Sequence, residues 1–126
     1  MVTTEVAQLS KECNAWREAL RSYRDQFGQL KLVLLKLAGR QTLKEDLLQV
    51  EHLDNQLHIQ LINIHDLKQS IKAHDKKLHA EMHNADGRIS DESLADHENL
   101  YDDYQSLEHK LQDIKQEFAY FADRTS

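Results

Sequence analysis

Proline is absent from the 126 residues, and glycine occurs three times, at Gly28, Gly39 and Gly87. Collagen-like repeats, Pro-rich linkers and turn-dense all-β folds need far more of both, so a helical protein remains. Cysteine is nearly missing as well. Cys13 alone can form no internal disulfide, which fits a reducing compartment. Long apolar runs are also lacking: the most apolar, Leu30 to Ala38, is interrupted by Lys31 and Lys36. It falls well short of the ~20 residues that a bilayer crossing requires. The opening Met1-Val2-Thr3-Thr4-Glu5 puts no basic segment ahead of an apolar one, as a secretory signal would. Positive charge is in deficit, with 16 Lys plus Arg against 22 Asp plus Glu and a formal net charge of −6. Non-specific nucleic-acid binding depends on clustered cations, so the expectation is a cytoplasmic protein with neither a nucleic-acid ligand nor a membrane attachment.

What is present is helical periodicity. Val6, Leu9, Cys13, Trp16, Leu20, Tyr23, Phe27, Leu30, Leu34 and Leu37 alternate spacings of three and four, which places them on one stripe of a coiled-coil-like helix. Gly28 interrupts that helix at a cost of about 1 kcal/mol relative to alanine. Gly39 stands where a left-handed C-cap would end it. A second helix is expected from the capping-box pair Thr42 and Glu45. Its stripe is Leu43, Leu47, Val50, Leu53, Leu57, Leu61, Ile64, Leu67, Ile71, Leu78 and Met82, with turn residues at Asn84, Asp86 and Gly87. Ser90 reads as the cap of a third helix, with Ile89 and Leu94 as its hydrophobic staple and Asp91 and Glu92 in the first turn. The third stripe is Leu100, Tyr104, Leu107, Leu111, Ile114, Phe118 and Phe121.

The expected fold is an all-α, elongated, up-down-up three-helix bundle with coiled-coil-like seams. It forms one domain over residues 1–126, with helices at about 4–38, 43–83 and 91–123 and connections too short for a crossover. Net charge by segment is +3 over residues 1–41, −2 over 42–88 and −7 over 89–126, so the outer helices carry opposite charge. Exposed pairs contribute only ~0–1 kcal/mol each, which leaves the seams to supply most of the stability. Counting back from the turns, helix 3 reaches only to about Glu51, and residues 43–50 have no third-helix neighbour.

That end holds Leu32, Val33, Leu35, Leu43, Leu47 and Leu48, with Ile59 and Ile62 further along the outer face of helix 2. Leu32, Leu35, Leu43, Leu47, Leu48, Ile59 and Ile62 are the candidate interface of a homo-oligomer, most simply a two-fold dimer. Isolated surface apolars are the alternative reading.

Eight histidines are the compositional oddity. His79 and His83, four apart, share a helical face and could chelate a divalent ion, although no third ligand follows locally. His74 and His97 fall on seam positions that the antiparallel count brings within about a turn of each other. These four are the metal candidates near the helix 2–helix 3 turn; water-satisfied surface histidines and a pH-sensitive seam pair are the competing readings. Cys13, between Leu9 and Trp16, reads as a buried and inert thiol. Acid pairs such as Asp102 with Asp103 read as a solvated face. The chain has no glycine-rich phosphate loop, nucleophile elbow or Cys-x-x-Cys. The resulting expectation is a non-enzymatic interaction or scaffold protein with an unidentified protein partner and no cofactor. A metal-binding helical protein is the alternative.

Overall fold

Three helices, α1 (Val2–Ala38), α2 (Lys44–Met82) and α3 (Asp91–Thr125), pack as a three-helix bundle. The computed structural model describes residues 2–83 and 88–125, with side chains from Glu5, and contains no strand among them. The turn expected at Asn84, Asp86 and Gly87 lies outside the described residues.

α1 follows its stripe throughout. Val6, Cys13, Trp16, Leu20, Tyr23, Phe27, Leu34 and Leu37 are buried, and Leu9 and Leu30 pack against the same core. Its end departs from expectation. Gly39 lies outside the left-handed region, so no left-handed cap forms. Instead the chain tightens, with the Arg40 and Gln41 amides donating to the carbonyls of Leu37 and Ala38 at 3.1 and 3.2 Å. The Gln41 side-chain amide also donates to the Leu37 carbonyl at 2.9 Å.

α2 departs further. It starts after Leu43, which is extended and makes no side-chain cap bond, so the Thr42–Glu45 capping box is not formed: Thr42 sits one residue too early. Leu43 and Leu47 are 65% and 44% exposed. The inward row is instead Asp46, Val50, Leu53, Leu57, Gln60, Ile64, Leu67, Ile71, His74, Leu78 and Glu81, an unbroken alternation of four and three. One heptad position, from Val50 to Leu78, is wholly apolar. The other alternates through Asp46, Leu53, Gln60, Leu67 and His74 before reaching Glu81, and this polar content hides the seam from an apolar count.

α3 starts as expected. The Ser90 hydroxyl accepts from the Ser93 amide at 3.1 Å, its carbonyl accepts from the Leu94 amide at 3.0 Å, and Ile89 is buried. The buried row extends below Leu100 to His97 and Ser93. Pairings with α2 run in opposite order along the two helices. His74 meets His97, Gln49 donates to Glu117 at 3.1 Å, and Arg124 pairs with Asp46 at 2.9 Å. The last pair corrects the expected overhang, because α3 covers α2 down to its first turn. Pairings with α1 rise together, from His97 on Glu12 to Tyr104 on Trp16 and Lys115 on Gln26. The hydroxyl of Tyr23 finds its outlet in Glu108 and Gln112.

Glu81 ties the second connection. Its carboxylate accepts from the Ser90 amide at 2.7 Å and from the Ser93 hydroxyl. The Ser93 bond first, and the Ser90 bonds after it, hold its pKa below the usual carboxylate value against the opposing effect of burial. A carboxylate held low in the folded state stabilises fully above the ordinary carboxylate range and loses that contribution as pH falls through the folded value. Glu81→Gln is therefore expected to cost about 1–3 kcal/mol near neutral pH and to flatten the acid limb of stability, as read by urea unfolding across pH. Gly28 is a different case. A Cβ there meets nothing within 4 Å. Gly28→Ala should raise stability by about 1 kcal/mol in the same assay.

Candidate functional site

The two ends of the bundle differ in chemistry. Where α1 meets α2 around residues 39–43, apolar side chains face out: Leu32 (56% exposed), Leu35, Leu43, Leu47 and Leu48, with Ile59 and Ile62 further along α2. At 100° per residue, Leu48, Ile59 and Ile62 share an arc of roughly 60°, and Leu32 and Leu35 lie about a turn apart on α1. A shallow groove of about 240 Å³ opens here, its floor Leu34, Ala38, Leu47 and Val50 and its rim Lys31 facing Glu51 and Asp54.

At the opposite end the interior is polar, and it gathers residues that the sequence scatters. The His74 Nε2 and His97 Nδ1 atoms are 3.0 Å apart. Cys13 Sγ approaches the same His97 nitrogen at 4.0 Å. These three donors, one from each helix, all lie within 4.8 Å of one another, and all three residues are buried. The far nitrogen of His97 meets Glu12 Oε1 at 2.9 Å. Trp16 covers the cluster, with its ring 4.8 Å from that of His97 and stacked on Tyr101 and Tyr104.

The His97 bond, then one from Gln8, lowers the Glu12 pKa, so its carboxylate is ionised and His97 donates from Nε2. Between His74 Nε2 and His97 Nδ1 one nitrogen must donate and the other accept. Burial first, then the neighbouring His97, lowers the His74 pKa. Cys13, at 4.0 Å from His97 Nδ1, makes only a weak contact with the pair.

No known protein family, curated protein or solved structure matches this chain. Its site can therefore be read only from its own geometry.

Of the four histidines singled out in the sequence, the structure brings together His74 and His97. His79 and His83 are exposed and apart from this pair. His79 instead meets Ser10 Oγ at 3.2 Å and lies 3.6 Å from Asp75 Oδ1. Cys13 is the member that sequence reasoning left out of the histidine group. Its seam position lay in view, but nothing local indicated that α2 and α3 place histidines opposite it.

Burial, reinforced by the negative charges of Asp75 and Glu12, pushes the Cys13 thiol up to about 12. In the metal-free folded protein at neutral pH, Cys13 should therefore react with a disulfide-exchange reagent only as fast as the chain unfolds, and denaturant should restore ordinary reactivity. Labelling kinetics followed by mass spectrometry check this.

Proposed function

We propose that the protein is a non-enzymatic helical interaction protein that self-associates through the α1–α2 hairpin end, most simply as a two-fold dimer. One observation carries the reading: the outward Leu35 of α1 and Leu47 of α2 line a groove that also holds charges of both signs. Lys31, Glu51 and Asp54 take part in no ion pair within the described chain. A two-fold axis through the groove sets Lys31 of one copy against Glu51 and Asp54 of the other, while Leu35 and Leu47 close over each other. A hydrophobic centre with a charged rim is the usual anatomy of a protein interface.

No described helix is long and apolar enough to cross a membrane. A reducing, cytoplasmic setting belongs to the same proposal, supported by a lone cysteine that has no partner in the sequence. The acids of α3, Asp102 and Asp103 among them, are exposed and are assigned no catalytic role. A further protein partner, bound on the same outer surfaces, is compatible with a scaffold.

Sedimentation equilibrium tests the reading. The wild-type chain should be dimeric at micromolar concentration, and Leu32→Lys combined with Leu35→Lys should return it to monomer with its helicity and melting curve retained. A wild-type protein that stays monomeric at high concentration rejects the proposal, as does a double variant that remains dimeric.

A further inference from the structure

We propose that Cys13, His74 and His97 form a binding site for a single divalent cation of the zinc class, with Glu12 as the carboxylate that orients His97. The site lies at the other end of the bundle from the hairpin interface, and its test is independent of that reading.

Each helix contributes one donor. A tetrahedral ion with metal–nitrogen bonds of about 2.0–2.1 Å and a metal–sulfur bond of about 2.3 Å needs nitrogens about 3.3 Å apart and sulfur about 3.6 Å from nitrogen. The structure has 3.0 Å between the histidine nitrogens and 4.0 Å from Cys13 Sγ to His97 Nδ1. All three donor atoms lie within 4.8 Å of one another, so shifts of up to about 1 Å, within the reach of side-chain torsions, would convert the cluster into a coordination sphere. A hydrogen-bonded histidine pair alone would not need a thiol converging on the same point.

The surroundings agree with a cation. The outer nitrogen of His97 is held by Glu12 at 2.9 Å, the arrangement by which metal-ligating histidines are fixed in tautomer and direction. The negative field of Asp75 and Glu12, which disfavours a bare thiolate at Cys13, favours a dication beside it. Asp75 Oδ1 is itself buried without a hydrogen bond. One thiolate and two imidazoles select zinc or cobalt over calcium or magnesium, which prefer oxygen ligands. A groove of about 320 Å³ lined by Glu12, Trp16, His97, Glu98 and Tyr101 borders His97, and water would be the fourth ligand. On binding, Cys13 releases its proton to solvent, any proton on His74 Nε2 or His97 Nδ1 moves to the other ring nitrogen or to solvent, and no redox change occurs.

The test uses the full chain without an affinity tag, reduced and stripped with chelator, then titrated with Co²⁺ and with Zn²⁺. Expected are a thiolate-to-cobalt charge-transfer absorption that saturates at equimolar metal and a parallel loss of emission from Trp16, the sole tryptophan. Zn²⁺ should displace cobalt and raise the melting temperature by about 5 °C or more. Cys13→Ala should abolish the charge-transfer band, and His97→Gln should weaken binding by about tenfold or more. His79→Gln combined with His83→Gln should change neither. The proposal fails if the wild-type chain binds no metal saturably, or if cobalt binds without the thiolate band. It also fails if binding survives Cys13→Ala but is lost in the His79/His83 variant. The wild-type cobalt spectrum reports thiolate ligation directly, so the decision stands even if a variant does not fold.

Discussion

A polar group removed from water must find a partner inside the protein, and that constraint organises one whole end of this bundle. Burying an unsatisfied donor or acceptor costs about 1–3 kcal/mol, comparable to what one buried leucine contributes. Glu81, Ser93, His74 and His97 are nonetheless buried on the seams of α2 and α3, and each has its partner within the same few turns. The polar atoms are confined to stacked layers: the Glu81 carboxylate with Ser90 and Ser93, then the histidine pair with Glu12. Beyond them Leu20, Leu57, Ile64, Ile71 and Leu111 make a mainly apolar core, interrupted on α2 by the buried Gln60. The apolar layers supply the cohesion, and the polar layers set what can sit beside what.

The physical reason that some of this is legible in sequence, and some is not, lies in the difference between local and long-range information. The buried stripe of α1 could be read directly, because it is apolar and periodic and needs no knowledge of a neighbour, though the closure of its end at Gly39 could not. Ser90 as a cap needs only the residues that follow it. α2 was harder: its true inward row includes Asp46, Gln60, His74 and Glu81, which an apolar count skips, and the count drifts to Leu43 and Leu47 on the outer face. The polar choice becomes intelligible only once Arg124 is placed against Asp46 and Ser93 against Glu81, and both pairings depend on the register between helices. For the same reason the adjacency of His74 and His97 was visible as a register estimate, whereas the approach of Cys13 required the lateral position of α1 as well.

The two ends of the bundle have opposite relations to solvent. Around residues 39–43 apolar groups point outward beside Lys31, Glu51 and Asp54, the surface that the proposed dimer would cover. At the α2–α3 end polar groups point inward and converge, the arrangement from which the proposed cation site is argued. Cys13 and Leu35 are separated by roughly 33 Å along α1, at 1.5 Å per residue. An ion at the first could tighten three helices without touching the second.

The same pairings also decide register. Seams made only of leucine and isoleucine can slide by a heptad and still bury oil against oil. Slipping α3 along α2 by seven residues would part Glu81 from Ser93 and His74 from His97, at about 1–3 kcal/mol for each buried group left unpaired. It would also part Arg124 from Asp46, a pair at the other end of α2 with its carboxylate nearly buried. The Arg124–Asp46 penalty adds to the others because it lies at the far end of α2, whereas the Glu81 and His74 pairs are neighbours and couple. Against the 5–15 kcal/mol of total stability typical of a folded domain, such penalties favour the native register even where the apolar contacts of a shifted one are as good. Asp46, His74 and Glu81, all on one heptad position of α2, thus serve alignment, while the uninterrupted position from Val50 to Leu78 supplies the apolar burial that makes the expense tolerable.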